Sequence, residues 1–547
     1  MNIYSKILLA LLFTTIGTAT QLAHAQEEEN NNRLHIMTQL SYTHSNGEHA
    51  PYWLTALRQG VISTEEKSGY ARLAATYNNR FGKNKNYSYR ISADIIANHN
   101  HTSNLFIQQA YAELSRKWLR ISIGSKERFG ENRTDETLFN NTAFDTNRVN
   151  QYFPTLHKRQ ITSLSSGGLL YSGNSRPIPQ IRAEVPEYTT IPWFNQWVQM
   201  RGHIAYGIFT DENFQEEFSR NCSFTRYAKN QLYHSKAVFI KIGKPRKFPL
   251  TFEGGLELYT QYGGNIYTHA DGLVVSMPHS ILDHIKAFIP MSGSEDTPID
   301  EQTNISGNQI GNWHTAFTLH TKPVDVRIYS EHLFEDFSQL FFFEYQSNKE
   351  GKKRIIYYPW KDMMIGIRIT NKSNYLKFIS SIQYEYMSTY DQSGALYHDP
   401  SDNFNEQMDG VDNYYNHGIY PGWHHWGMGI GNPLVISPIY NESGELVFRS
   451  NRLISHTIGI NGTLGNRIPL TYRLLYSYSE HWGTYLNPFR EKKYITSTLG
   501  ELIYAPKNSK WLGALAVGYD NSNLIGNNLG ATLTITRVFS INPNKKK

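Results

Sequence analysis

Several stretches of this chain alternate apolar and polar residues with strict period two, and their charges keep to one parity. Val198, Met200, Ile204, Tyr206 and Ile208 alternate with Gln199, Arg201, His203 and Ala205, and Phe252, Leu256 and Leu258 with Thr251, Glu253 and Glu257. Met363, Ile365, Ile367 and Ile369 alternate with Met364, Gly366, Arg368 and Thr370, and Leu470, Tyr472, Leu474, Tyr476 and Tyr478 with Thr471, Arg473, Ser477 and Ser479. Successive side chains on a strand point to opposite faces, so one-sided charge means that one face meets water and the other something apolar. A soluble sandwich also alternates, but over strands of about five or six residues. Runs of about ten fit the wall of a transmembrane barrel, lipid on one side and lumen on the other. Near the end, Ala531, Leu533 and Ile535 alternate with Thr532, Thr534 and Thr536 in a strand closing near Phe539.

The connections between these runs are of two kinds. Ser115-Arg116-Lys117, Thr321-Lys322-Pro323, Asn371-Lys372-Ser373-Asn374, Gly465-Asn466-Arg467 and Pro506-Lys507-Asn508-Ser509-Lys510 are tight turns, built from residues that supply turn geometry. They alternate with long irregular stretches at 125–165, 210–233, 263–312, 332–362 and 388–452. Short turns at one end and long loops at the other is the asymmetry of outer-membrane barrels. The expectation is an all-β, antiparallel transmembrane β-barrel of about 16–18 strands with long extracellular loops. A short amphipathic helix at Ser280–Phe288, with Ile281, Leu282, Ile285 and Phe288 on one side, would be a loop helix or lie inside or beneath the barrel.

The N-terminus agrees. Lys6 precedes the apolar run Ile7–Phe13, and Ala23-His24-Ala25 offers a small-x-small cleavage site. Residues 1–25 are therefore read as a signal peptide and 26–547 as one barrel domain of the cell outer membrane. The 37 Tyr, 27 Phe and 10 Trp suit interfacial aromatic girdles. The single Cys222 forms no intramolecular disulfide, so strand pairing carries the stability. A formal charge of +6, partly in the tail Lys545-Lys546-Lys547, gives no sign of a nucleic-acid partner.

A set of particular strings begins with Gly167-Gly168-Leu169-Leu170-Tyr171-Ser172-Gly173-Asn174-Ser175-Arg176-Pro177-Ile178-Pro179-Gln180, then Pro186-Glu187-Tyr188 and Ile191-Pro192. Gly307–Gly311, Tyr329–Asp336, Gly431-Asn432-Pro433-Leu434, Phe448–Arg452 and Gly483-Thr484-Tyr485 follow in order along most of the chain. Together these strings resemble the Wzi-type capsule assembly proteins. The resemblance implies an outer-membrane barrel of about 18 strands with a small periplasmic helical portion. It also implies a lectin-like role, holding exported capsular polysaccharide at the surface. Gly173, Asn174, Arg176, Pro177 and Pro179 read as structural: neither proline donates to a ladder, so the segment is a lumen or rim turn, with Arg176 either paired internally or touching glycan.

Catalytic signatures are absent from the sequence: no Gly-x-Ser-x-Gly, no His-Glu-x-x-His, no Walker loop and no cysteine set for zinc. Glu335 and Asp336 are adjacent, and neighbours on a strand point apart, which does not suit the paired carboxyls of a glycosidase. The most suggestive constellation runs from Asp409 to Trp426 and contains Asp412, Tyr414, Tyr415, His417, Tyr420, Trp423, His424 and His425. Aromatic faces stack on sugar rings while carboxylates and imidazoles bond hydroxyls, so Tyr414, Tyr415, His417, Trp423, His424, His425 and Trp426 are the candidate glycan contacts. The alternative is a loop that packs these aromatics into the lumen. No cofactor or metal is called for. The partners expected are capsular polysaccharide, outer-membrane lipid and lipopolysaccharide. The leading function is non-catalytic anchoring of capsular or exopolysaccharide; the alternatives are a porin or sugar-selective channel and an outer-membrane hydrolase of glycan or lipid.

Overall fold

A computed structural model describes residues 33–82, 86–128, 164–289, 307–335, 341, 343–347, 353–357, 360–373, 378–392, 397–398, 407–408, 412–464, 470–506 and 509–541. The expected signal peptide, residues 1–25, lies outside them, as do Asp336, Asp409 and the turn at 465–467.

Eighteen strands form one antiparallel sheet. In chain order they are β1 (Arg33–Ser45), β2 (Lys67–Phe81), β3 (Tyr87–His99), β4 (Leu105–Arg116), β5 (Leu119–Ser125) and β6 (Gln180–Thr190). Next come β7 (Val198–Ile208), β8 (Leu232–Ile242), β9 (Leu250–Tyr262), β10 (Asn308–His320), β11 (Val324–Glu335) and β12 (Met363–Asn371). The last six are β13 (Ser381–Ser388), β14 (Leu453–Thr463), β15 (Leu470–Gly483), β16 (Pro488–Tyr504), β17 (Trp511–Ser522) and β18 (Asn528–Ile541). Each pairs with its neighbour in sequence, and β1 pairs with both β2 and β18, so the ring closes without a free edge. On the lumen side of the closing seam, Gln39–Thr536, Ser41–Thr534 and Thr43–Thr532 are bonded at 2.8, 2.8 and 2.9 Å.

The parity of the sequence becomes the two faces of the wall. Ile204, Val238, Ile240, Ile367, Leu474, Leu515 and Leu533 point outward and are exposed. Arg72, Asp94, Glu257, Arg327, Arg368, Arg473 and Glu501 point inward and are buried. A buried charge is tolerated when a partner replaces water. Arg72 Nε donates to Asp94 at 2.9 Å and its Nη2 to Glu127 at 2.8 Å, while Arg58 and Arg473 both reach Glu501 at 2.9 Å. Stacked Phe81 and Tyr87, with Trp511 beneath the Arg537 guanidinium, mark an aromatic girdle near the short turns.

Those short connections (82–86, 117–118, 191–197, 243–249, 321–323, 372–380, 464–469, 505–510) share one end with both chain termini. The opposite end carries 46–66, 126–179, 209–231, 263–307, 336–362 and 389–452, with three tight turns among them. The expected loop 125–165 extends to 179, because Pro177 and Pro179 hold off the ladder until Gln180. Three α-helices among the described residues, α1 (Tyr52–Thr55), α2 (Glu212–Phe218) and α3 (Ile281–Phe288), belong to the long-loop end. At the short-turn end the described residues carry only a three-residue 3-10 turn, Pro192–Phe194. Of the placements expected for Ser280–Phe288 the loop helix holds: α3 packs against the outer wall, neither inside nor beneath the barrel. Phe343–Ser347 pairs with Lys353–Tyr357 as a hairpin separate from the wall.

Inside the wall, two glycines leave room for a cross-strand ring. Gly255 faces Phe239 and Gly366 faces Tyr329, and a Cβ on either glycine would overlap the opposing ring. Gly255→Val is expected to displace Phe239 and cost about 1–3 kcal/mol. A lower urea midpoint and a lower temperature for loss of the compact band on SDS gels would register this. Gly513→Val, where nothing stands within 4 Å of the new Cβ, should leave both unchanged.

Candidate functional site

Three stretches of the long-loop end turn inward and fill the lumen there: residues 47–65, 164–179 and 412–452. Their apolar residues (Tyr52, Trp53, Leu54, Leu169, Leu170, Trp423, Phe448) form one core with Tyr233, Tyr259, Tyr329 and Leu475 of the wall. Trp423 lies parallel to Tyr233 at 6.4 Å and edge-on to Tyr259 at 6.0 Å.

Such loops carry backbone groups that need partners once buried; five carboxylates supply them, and a sixth, Asp362, holds the neighbouring chain at 391–392 and the Tyr414 hydroxyl. Glu385 accepts from Ser166 N (2.6 Å), Glu331 from Leu169 N (2.7 Å), and Glu335 from Tyr415 N (2.7 Å). Asp520 accepts from Tyr52 N (2.9 Å), Asp211 from Trp426 N (2.8 Å), and Asp362 from the amides of Asp391 and Gln392. Charge-assisted bonds of this kind are about twice as strong as neutral ones. The segments also bond one another: Ser172 N to Ile430 O (3.0 Å), Asn432 Nδ2 to Gly167 O (2.6 Å), and Trp423 Nε1 to Leu170 O (2.9 Å).

The Gly173–Pro179 motif is the keystone of this plug. Gly173 takes φ +73°, open to glycine at little cost, and its carbonyl accepts from Gln59 N at 3.0 Å. Asn174 bridges two segments, accepting from Leu57 N at 2.9 Å and donating to Gly429 O at 3.2 Å. Arg176 turns inward. Its guanidinium lies between Phe106 (3.7 Å) and Trp426 (4.3 Å), with Nη2 on His101 Nδ1 (3.0 Å) and Thr102 Oγ1 (2.7 Å). Burial pulls Arg176 down to about 9, with Asp211 opposing, and it remains a cation at neutral pH. The carbonyls of Pro177 and Pro179 accept from Ser125 Oγ and Ile208 N.

Of the seven candidate glycan contacts, Tyr414, Tyr415, Trp423, His424 and His425 are buried in the plug, and their ring faces are already covered. Tyr414 OH reaches Asp362 at 3.2 Å, and His425 Nδ1 bonds Arg176 O at 3.0 Å. Burial lowers His424 and His417 to about 4, so neither imidazole carries charge at neutral pH. Of the seven, only His417 and Trp426 are less than fully buried. Lone Cys222 donates to Ser443 O at 2.7 Å in the adjoining loop.

A second aromatic cluster sits at the rim and was not singled out as a site from the sequence. Arg452 lies over Tyr485 (3.8 Å) and Tyr390 (4.6 Å), and Tyr390 meets Trp482 edge-on at 4.7 Å. Lys492 approaches Trp482 at 5.7 Å, and Asp391 pairs with Lys361 at 3.2 Å. Phe448–Arg452 and Gly483–Tyr485 were legible only as separate strings, and their contact across strands left no mark on spacing. Stacking rings beside cations and a carboxylate is the chemistry that binds acidic or neutral sugars.

The Asp362 anchor titrates. Burial lifts its carboxyl from 3.8 to about 6, while the two backbone amides and Tyr414 hold it down. The folded protein keeps a proton that the unfolded chain releases near 3.8, so this contribution is full below about pH 4 and lost as pH rises through about 6. Asp362→Asn, which does not titrate, is expected to flatten the fall in thermal stability between pH 4 and 7, by up to about 3 kcal/mol. Melting curves in detergent across that range, against the parent protein, check it.

No family model matches the sequence, and no curated protein matches it. Among solved structures, the chain is similar to Wzi of Escherichia coli, an outer membrane protein described as a carbohydrate-binding β-barrel involved in group 1 capsule assembly. The TM-score is 0.51 at 12% identity, covering 91% of this chain and 83% of that one. OccK5 of Pseudomonas aeruginosa (TM-score 0.43, 9% identity, 93% and 98% covered) and OprD of the same organism (0.43, 9%, 95% and 97%) also match. At these identities the likeness to Wzi is one of fold: a transmembrane barrel of the outer-membrane kind.

Proposed function

We propose that this protein resides in the outer membrane and holds capsular or exopolysaccharide at the cell surface, without catalysing a reaction. The observation that carries the reading is the plug. A conducting channel needs an aqueous lumen, and here the long-loop end is occupied by a hydrogen-bonded apolar core anchored by six carboxylates. What that end offers instead is a rim. Tyr390, Trp482 and Tyr485, with Lys492 beside them, present aromatic and cationic surface to the outside, and the buried Arg452 guanidinium holds the two tyrosines in place. His417 and Trp426 offer a second edge, which Tyr414, Tyr415, Trp423, His424 and His425 support from beneath. The ordered strings from Gly167 to Tyr485 and the barrel shared with a carbohydrate-binding capsule protein support the same reading.

Deleting the gene is expected to release capsule into the medium while polymer synthesis continues; capsule still cell-attached at the normal level overturns the proposal. Tyr485→Ala and Trp482→Ala are each expected to weaken glycan binding on an array about three- to tenfold, the worth of one stacked ring. Unchanged binding in both, with loss in Trp426→Ala, would move the contact to the plug edge. A porin predicts the opposite electrical behaviour, so a large steady conductance of the parent protein in planar bilayers would favour that reading instead.

A further inference from the structure

Helix α3 has its polarity reversed relative to a helix on a soluble surface. It lies across the long-loop end of β7, β8 and β9 on the outside of the barrel. Beneath it are Tyr206, His234, Lys236, Thr260 and Tyr262, all of the outward parity, paired across the strands as Tyr206↔His234, His234↔Thr260 and Leu232↔Tyr262. The helix packs its polar and small residues on this wall: Asp283, Lys286 and Ala287 are buried, and His284 stacks on Tyr206 at 5.9 Å. Its apolar residues point away from the protein. Ile281 is 84% exposed, Leu282 54%, Ile285 47%, Phe288 38% and Ile289 52%.

The attachment is built, not incidental. Ser280 and Asp283 form a capping box at the N-terminus. At the other end Lys236 Nζ donates to the carbonyls of Ala287 (3.1 Å) and Phe288, Thr260 Oγ1 reaches Ala287 O at 3.4 Å, and Tyr206 OH donates to His284 O at 3.0 Å. A lysine on the lipid side of a strand is costly; here the orphan carbonyls of a helix terminus receive it. Directly below, Ile204, Val238 and Ile240 continue the same outward face as exposed apolar surface. The apolar face of α3 is therefore an extension of the hydrocarbon-facing band and not an isolated patch.

We propose that α3 is a membrane-anchoring element whose apolar face is seated in the acyl chains of the outer leaflet, fastening the long-loop rim of β7–β9 to the lipid surface. A short helix with one strongly apolar face, lying in the interface plane, is the geometry of interfacial anchors. The polar side that such a helix normally turns to water is turned here to the barrel wall, so lipid is the medium that suits the remaining face.

The inference rests on the outer-membrane reading above, and spin labelling separates the two. In a Cys222→Ser background, nitroxides at Leu282→Cys on α3 and at Ile240→Cys in the band are placed in protein reconstituted into phosphatidylethanolamine–phosphatidylglycerol vesicles. Collision of the Leu282 label with oxygen in preference to a water-soluble nickel chelate, to the same degree as the Ile240 label, is the expected result. Nickel preference at Leu282 with oxygen preference at Ile240 overturns the anchor and leaves the barrel in the membrane. Nickel preference at both sites overturns the membrane reading and the anchor with it. Dipolar broadening of the Leu282 spectrum, relieved by diluting with unlabelled protein, assigns the face to a second copy of the chain and likewise overturns the anchor.

Discussion

The constraint on which the structure depends is that hydrocarbon offers no hydrogen bonds. Every N–H and C=O that crosses it must be satisfied by the chain itself, and a sheet meets that demand only when its first and last strands pair. The seam between β1 and β18 is therefore the condition for the wall rather than one pairing among many. The hydroxyl and amide ladder along its inner side shows that the lumen face has been fitted to it as well.

Once the wall is closed its inner face is polar, and the loops that enter must answer to it. They do so through carboxylates. Glu331, Glu335 and Glu385 rise from β11 and β13, Asp520 from β17, and Asp211 from a loop, and each takes a backbone amide of an inward-folded segment; Asp362 takes the amides of Asp391 and Gln392 and the Tyr414 hydroxyl. The apolar side chains of the same segments then bury one another. The plug is a small core suspended on anionic hooks, and this accounts for the concentration of aromatic residues between Tyr414 and Trp426.

How much of this was legible follows from the range of each signal. The wall could be read because period-two parity is local: Arg201, Arg368 and Arg473 each announce an inward face within a few residues. The turns were likewise local, and Pro177 and Pro179 marked their segment as a turn, but nothing local showed that the loop expected at 125–165 runs on to 179. The plug was not, because whether Trp423 stacks on a sugar or on Tyr233 depends on a strand far away in sequence. Composition could not choose between the two, since sugar-binding loops and packed loops use the same residues. The rim cluster was hidden for the same reason: Tyr390 and Arg452 stand at opposite ends of the long connection 389–452, and Tyr485 comes from the next turn at that end. For α3 the sequence held the amphipathic face correctly, but a hydrophobic stripe does not say whether protein or lipid will cover it.

The seam also orders assembly in time. From β2 to β17 each strand finds its partner next to it in the chain, so hairpins add one after another with short loop closures. Only β1 must hold an open edge until the last strand has been made, and the inward loops from 47–65 and 412–452 cannot lock together before the strands between them are in place. Such long-range closure is the slow part of building a sheet. A growing barrel of this kind is an unsealed vessel with one raw edge, and residues 528–541 are at once its final stave and its stopper's permission to set.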